Sequence, residues 1–297
     1  MKRITPAELA QFLSIAKHRS FSRAAIELGL SPSALSHALR NLEEQLGLRL
    51  LNRTTRSVAL TEAGERLLSR IAPAFRDIDD ALEDLNHFRG KPSGSLRINA
   101  GRSATQLVLL PLVTRFLKLY PEIKVEIDDD DALVDVVSSG FDAGVRFGER
   151  IEADMVAIRL GPEMRSAVVA TPDFLAQHGV PLHPHDLPGL PCIRHRFPSG
   201  VVYRWELERD GVKLETQVDG PLTLHDVRMM VDAALQGAGL AFVFEDMAAE
   251  HLASGRLVRV LEDWCPAYPG LYLYYPSRRQ VPAALRAFID FVREREM

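Results

Sequence analysis

The sequence has few cysteines and no long apolar run, and each absence excludes a class of protein. Its two cysteines, Cys192 and Cys265, are too few and too far apart in 297 residues to indicate a disulfide framework or a zinc site. A thiol redox switch and a pair of buried, inert thiols both remain open for them. No apolar stretch approaches the roughly 20 residues of a membrane-spanning helix, and MKRITPAELA lacks a secretory signal's apolar core. We therefore expect a cytoplasmic protein with no membrane partner.

Sequence signatures of common catalytic sites are also missing. The chain has no Gly-rich phosphate loop, no GxSxG elbow and no HExxH motif. His183 and His185 lie among prolines in PLHPHDLPGLP, which is typical of a loop rather than of metal ligands. We expect no enzyme, no metal and no cofactor other than a small-molecule effector.

Charge is concentrated at one end of the chain. The first 60 residues hold nine lysines and arginines against four acidic residues, a net charge of +5; since the whole chain carries −4, the remainder carries −9. The basic N-terminal region is therefore the end expected to bind a polyanion.

Residues 20–60 are predicted to form two short helices joined by a tight turn, followed by a hairpin. Ser22 can cap a helix ending near Gly29, and Ser31-Pro32 opens another, because a hydroxyl caps free amides and proline fits a first turn. This arrangement is the DNA-reading helix-turn-helix.

The second of these helices has one apolar face, formed by leucines at three- or four-residue spacing: Leu35, Leu39, Leu42 and Leu46. The opposite face carries short hydroxyls and donor groups that suit a major groove. An ordinary solvated face is the alternative. The arginines of the following LRLLNRTTRSVALT favour a wing on the phosphate backbone. The residues expected to contact DNA are Ser31, Ser33, Ser36, His37, Arg40, Arg53, Thr54 and Arg56.

The run F..AA..L.LSPSALSHAL..LE..LG.RLL.RTTR.VALTEAG resembles the N-terminal signature of LysR-type transcriptional regulators. Its several coupled spacings make this resemblance far more specific than a short motif. The resemblance implies a winged helix-turn-helix (1–60), a linker helix (61–89) and a two-lobed α/β effector domain like the type 2 periplasmic solute-binding proteins.

A helix is predicted from the N-cap Thr61 to about Phe88, with Pro73 inside it. Apolar residues recur along it at alternating four- and three-residue spacing, which is typical of a dimerisation seam, although packing on its own domain is the alternative. The seam residues are Leu68, Ile71, Phe75, Ile78, Leu82 and Leu85.

From residue 91 onward, strand-like and helix-like runs alternate, which predicts parallel α/β architecture. With the resemblance, the first lobe comprises 90–162 with 268–297, and the second comprises 163–267. A cleft between two such lobes, at strand ends and helix starts, is the expected ligand site.

Residues at those positions are the candidate effector contacts: Arg102, Ser103, Thr105, Asp129, Arg146, Phe197, Ser199, Thr223 and His225. Ser103 fits an anion at a helix start or a simple cap, and Arg146 fits a ligand carboxylate or a structural ion pair. The acidic run 128–131 either caps the next helix or faces the cleft, where it would favour a cationic effector. The charge of the effector stays open.

These features predict a ligand-responsive transcription factor that reads dyad-symmetric DNA as a homodimer or homotetramer. RNA polymerase is a further expected partner. An enzyme built on the lobed domain and a transport receptor are the alternatives. Turnover of a metabolite would favour the enzyme, and the missing export signal and basic N-terminal region disfavour the receptor.

Overall fold

The structure is a computed structural model that describes residues 4–53, 58–87, 92–132, 135–148, 151, 154–276 and 281–296. The chain divides into two compact units, residues 1–90 with 137–140 and residues 91–136 with 141–297.

The first unit is mostly helical. Its elements are α1 (Pro6–His18), α2 (Phe21–Leu28), α3 (Pro32–Leu46), β1 (Leu51–Arg53), β2 (Val58–Leu60) and α4 (Glu62–His87). Helices α1 to α3 enclose a core in which Phe12, Ile15, Leu35, Leu39 and Leu42 are fully buried. Strands β1 and β2 pair antiparallel, with Leu51 opposite Leu60.

Side chains start each of these helices. Thr5 and Glu8 form a capping box at α1, and the Thr61 hydroxyl accepts the N–H of Gly64 at the start of α4. The N-cap of α2 is Ser20, whose hydroxyl accepts the N–H of Arg23. The prediction of Ser22 at that position was wrong, because the helix already begins at Phe21.

The second unit contains two main sheets. The helices and strands from residue 94 onward are, in chain order, β3 (Gly94–Ala100), α5 (Arg102–Ala104), α6 (Leu110–Leu119), β4 (Ile123–Asp128), α7 (Val136–Ser139), β5 (Ala143–Phe147), β6 (Met155–Leu160), β7 (Met164–Ala170), α8 (Pro172–His178), β8 (Arg194–His195), β9 (Trp205–Arg209), β10 (Val212–Thr216), β11 (Thr223–Leu224), α9 (Val227–Leu235), β12 (Ala241–Phe244), α10 (Glu245–Ala253), β13 (Val258–Val260), β14 (Ala267–Tyr268), β15 (Leu271–Pro276) and α11 (Ala283–Glu296). All belong to the second unit except α7, of which residues 137–139 belong to the first. A π-helical turn, Thr105–Leu109, joins α5 to α6.

The first sheet has the order β4-β3-β5-β15-β6, and the second has β12-β7-β13 with β14 also on β7. The predicted parallel pairing is right for β3 with β4 and β5. It is wrong elsewhere in these two sheets: β15 runs antiparallel to β5 and β6, and β7 is antiparallel to all its neighbours. A returning C-terminal strand has no local signal for its direction.

Two chain segments pass between the sheets side by side. The first leads from β6 to β7 and the second from β14 to β15. A Cβ added to Gly270 would lie 2.3 Å from the carbonyl oxygen of Pro162, so the two backbones touch where they cross. Only glycine allows this approach.

Candidate nucleic-acid interface and ligand cleft

Helix α3 presents the polar face that the sequence predicted. The hydroxyl of Ser31 accepts the N–H of Ala34 at 3.1 Å and lies 3.0 Å from the hydroxyl of Ser33. His37 and Arg40 are exposed on the same helix, and Ser36 is half-buried. The ring nitrogen Nδ1 of His37 lies 3.2 Å from Nδ2 of Asn41. This contact orients the imidazole, and Asn41 was not among the predicted DNA contacts.

The wing is only partly described. Arg53 ends β1, where its backbone pairs with that of Val58. The side chain of Arg53 and the residues Thr54 and Arg56 lie outside the described part of the chain. Their contacts with DNA stay a prediction.

The seam of α4 divides into two parts. Leu68 and Ile71 pack against the core of their own unit, as the intramolecular alternative required. Phe75 is half-buried, whereas Ile78 is 54% and Leu82 is 59% exposed. The side chain of Leu85 lies outside the described residues. Ile78 and Leu82 are therefore large apolar side chains that are exposed in the described part of α4.

The backbone amide at the start of α5 is capped by a residue that is distant in the sequence. Gly101 is the N-cap of α5 and has no side chain, and Ser103 lies inside the helix, so the interpretation of Ser103 as the cap was wrong. The carboxylate of Asp131 instead accepts the N–H of Arg102 at 3.0 Å. The Arg102 side chain is exposed, while the Thr105 hydroxyl oxygen is buried and has no hydrogen-bond partner among the described residues.

Arg146 is a buried arginine, only 7% exposed. Its guanidinium donates to the carbonyl oxygen of Val145 at 2.8 Å, the Oδ1 of Asn99 at 2.5 Å and the carbonyl oxygen of Ala132 at 3.1 Å. These bonds join β3, β5 and the segment after β4. Arg146 thus has a structural role, because its bonds to three neutral acceptors hold these segments together.

The acidic run serves several local functions. Asp130 accepts the N–H of Ala132 at 3.0 Å, and Asp128 accepts the side-chain amide of Asn99 at 3.4 Å. Asp129 is exposed. Asp131 caps α5, the helix that precedes the run in the chain, whereas the sequence predicted that the run caps the next helix.

The candidate effector contacts from Phe197 to His225 lie around β8 and β11. Thr223 pairs with Arg194 in that two-stranded sheet, and Nδ1 of His225 lies 3.0 Å from the carbonyl oxygen of Arg196. Phe197 closes a tight turn by donating its N–H to the carbonyl oxygen of Val201 at 2.9 Å. Ser199 is exposed at the tip of this turn.

Asp226 and His195 were not among the predicted contacts. Asp226 is the N-cap of α9, accepting the N–H groups of Arg228 and Met229. His195 packs edge-on against Phe197, with ring centroids 4.9 Å apart. Burial lowers the pKa of His195, while the carbonyl oxygen of His225 and the charge of Asp131 oppose that shift. Asp131, which caps α5, therefore contributes to the electrostatic environment of His195.

Two family descriptions match consecutive parts of the chain. Residues 6–65 match the bacterial regulatory helix-turn-helix protein of the lysR family, and residues 89–296 match the LysR substrate binding domain. The chain belongs to the LysR family of transcriptional regulators. This finding confirms the family, the fold class and the prediction of a regulator rather than an enzyme.

Relatives of this LysR-type regulator match it over nearly its whole length. It is 45% identical to the HTH-type transcriptional regulator YcaN of Escherichia coli, over 98% of this chain and 95% of that protein. It is 43% identical to the HTH-type transcriptional regulator PgrR of Escherichia coli, over 98% and 97%.

Solved structures of full-length proteins share the fold. The Vibrio cholerae virulence activator AphB, described as a member of the LTTR family, is 26% identical with a TM-score of 0.63, covering 98% of this chain and 99% of that one. CrgA of Neisseria meningitidis, a LysR-type transcriptional regulator, is 27% identical with a TM-score of 0.59 and 99% coverage of both chains.

The loop that contains His183 and His185 is held by its own hydrogen bonds. His183 accepts the N–H of His185 through Nδ1, and Asp186 accepts the N–H groups of Leu182 and His183, so this loop is internally bonded. Within the described residues, no three His, Cys, Asp or Glu side chains are grouped to hold a metal ion. No described helix is both long and apolar enough to cross a membrane.

Proposed function

We propose that this LysR-type regulator binds dyad-symmetric promoter DNA as a dimer or tetramer, and that a small molecule between its two lobes alters that binding. The observation that carries the DNA-binding half is the polar exposed face of α3 opposite a buried leucine stripe. Such a helix can enter a major groove while its other face holds it in the domain.

Base reading is assigned to His37 and Arg40, because both carry donors and both are exposed on α3. The hydroxyls of Ser31, Ser33 and Ser36 and the wing residues Arg53, Thr54 and Arg56 are assigned to the phosphate backbone. Phosphate contacts set register and orientation, whereas base contacts set sequence preference.

Self-association is assigned to the distal seam of α4, the exposed part that contains Ile78 and Leu82. Ile78 and Leu82 are exposed although large and apolar, which favours a paired helix in the assembly. Two α3 helices held in this way would meet two half-sites about one helical turn apart. Contact of the bound oligomer with RNA polymerase in the cytoplasm completes the proposal.

The lobes are assigned to residues 90–162 with 268–297 and to 163–267. The effector is proposed to bind between them, near Arg102, Ser103, Thr105, Asp129, Arg146, Phe197, Ser199, Thr223 and His225. Asp131 and Asp226 already occupy amides at the starts of α5 and α9. An anionic effector held by these helix starts is therefore disfavoured, and a neutral polar or cationic effector suits the cleft better.

Fluorescence anisotropy tests the DNA-binding proposal. The purified protein is titrated onto the intergenic DNA beside its own gene and onto a scrambled duplex across a salt series. We expect tighter binding to the intergenic DNA and a steep loss of affinity with salt, since each neutralised phosphate contributes about 0.9 to the slope. Absence of binding to both duplexes at low salt would contradict the assignment of α3.

A reporter for the same promoter tests the effector site. Ser103→Ala combined with Thr105→Val removes both hydroxyls from the turn after β3 without changing its charge. We expect normal DNA affinity and loss of the response to whichever culture condition induces the reporter. Unchanged induction would exclude this turn.

A further inference from the structure

The first residues of the wing are hydrogen-bonded to the recognition helix through one side chain. Oε1 of Glu43, on α3, accepts the N–H of Leu50 at 2.8 Å and the N–H of Leu51 at 3.1 Å. A single carboxylate oxygen thus holds two consecutive amides where the chain enters β1.

The same segment is bonded on its other side to the start of α4. The carbonyl oxygen of Leu50 accepts the N–H of Thr61 at 3.0 Å. The hydroxyl of Thr61 donates to the carbonyl oxygen of Arg49 at 2.7 Å and accepts the N–H of Gly64 at 3.0 Å. Residues 49–51 are therefore fixed between two helices by their backbone groups.

The packing at this point leaves no free space. A Cβ on Gly64 would lie 2.1 Å from the carbonyl oxygen of Leu50, so α4 lies directly against the wing backbone. The side chain of Leu50 is buried in the core of the unit. A shift of the wing relative to α3 therefore requires breaking the Glu43 bonds or moving α4.

We infer that Glu43 is a positioning residue for DNA binding: it sets the wing against the recognition helix, so that the wing's basic residues reach the phosphates while α3 occupies the groove. This inference rests on the proposed DNA interface. Glu43 itself contributes negative charge and would repel DNA if it acted by charge alone. Its effect on binding should therefore come through the geometry of the wing.

A double-mutant cycle on the full-length protein tests this role. In the wild-type background, Arg53→Ala should weaken binding and reduce the salt slope by about 1. In the Glu43→Ala background, Arg53→Ala should leave affinity and slope unchanged, because the wing no longer meets the backbone. Glu43→Gln should restore the wild-type behaviour, since its carbonyl oxygen can accept both amides.

Two further variants distinguish a positioning role of Glu43 from an effect of its charge or of lost stability. Glu65→Ala removes the same charge from an exposed position of α4 and should preserve the full effect of Arg53→Ala. Glu43→Asp keeps the charge but shortens the reach by one methylene, so it repeats the test if Glu43→Ala does not fold. Circular dichroism melting reports the folded fraction of each variant.

The outcomes distinguish this inference from the proposed function. If the wild type shows no salt-dependent, sequence-selective binding, the proposed interface fails. If the wild type binds as expected but Arg53→Ala has the same effect with and without Glu43, the positioning role is overturned and Glu43 merely stabilises the fold.

Discussion

The carboxylate of Asp131 accepts the backbone N–H of Arg102 at 3.0 Å, linking the segment after β4 to the turn after β3. Arg146 holds the same segment through the carbonyl oxygen of Ala132. The buried guanidinium and the capping carboxylate therefore act on neighbouring residues and together fix the turn that carries Ser103 and Thr105. The conformation of this turn depends on these long-range contacts more than on local sequence.

Asp131→Ala should destabilise the effector domain by about 1 kcal/mol, the usual cost of losing a helix-capping side chain. Both tryptophans, Trp205 and Trp264, belong to this domain, so fluorescence-detected urea unfolding follows it directly. Asp129→Ala is the matched control, because that carboxylate is exposed in the same run. Equal midpoints for both variants would show that the cap contributes nothing.

The hydrogen bonds between Glu27 and α1 predict that the stability of the helix-turn-helix unit depends on pH. Hydrogen bonds from Lys17, at 2.7 Å, and from Ser14 lower the pKa of Glu27 to about 2 from its ordinary 4.5. Because the folded-state pKa is depressed, the stabilisation is complete above pH 4.5 and is lost as the pH falls towards 2.

Glu27→Gln mimics the protonated carboxyl. Its melting temperature by circular dichroism should be below that of the wild type at pH 6, and the two should converge as the pH falls from 4.5 to 2. Glu65→Gln, at an exposed position of α4, should show no such convergence. A constant difference between wild type and Glu27→Gln across this range would contradict the assigned linkage.

The division of the α4 seam predicts two different mutant behaviours. Ile78→Glu with Leu82→Glu should give monomers with a normally stable DNA-binding domain, because both side chains are exposed. Ile71→Glu should unfold that domain, because Ile71 packs on its core. Light scattering after size exclusion reports mass, and circular dichroism reports folding. A stable dimer of the double variant would exclude the distal seam as the interface.

Local patterns predicted the DNA-binding unit better than the cleft. Ser31 and Pro32 act within one helical turn, so the sequence reveals them directly. The Asp131 cap acts across 29 residues and the Arg146–Asn99 bond across 47. Such pairs depend on how strands are ordered in the sheet, and sequence periodicity does not encode that order.

His195 was missed for a related reason. It occupies a two-residue strand with no periodic signal, and Asp131, which contributes to its pKa, is distant from it in the sequence. Its position near a turn does not distinguish His195 from the other histidines of the chain. The DNA contacts, the seam and the effector contacts themselves stay predictions.

Arg40 and Arg53 should have different effects on DNA recognition. Arg40→Ala should reduce the preference for operator over random DNA by about 1–3 kcal/mol, because a lost bidentate base contact affects only the correct sequence. Arg53→Ala should weaken both complexes nearly equally. Competition anisotropy with the two duplexes measures both effects. Equal losses on both sequences for Arg40→Ala would remove Arg40 from base reading.

The thiols of Cys192 and Cys265 should be unreactive in the folded protein. Burial raises the pKa of Cys192 to about 12, with a smaller contribution from Asp219, and raises that of Cys265 to about 11. Since the thiolate is the nucleophile, almost none is present at pH 8. Labelling with a disulfide reagent should therefore proceed at the rate of unfolding, independent of reagent concentration, and become rapid in urea. Fast labelling of either thiol in the native protein would contradict this expectation, because it requires an accessible thiolate. That result would support the redox switch that the sequence left open.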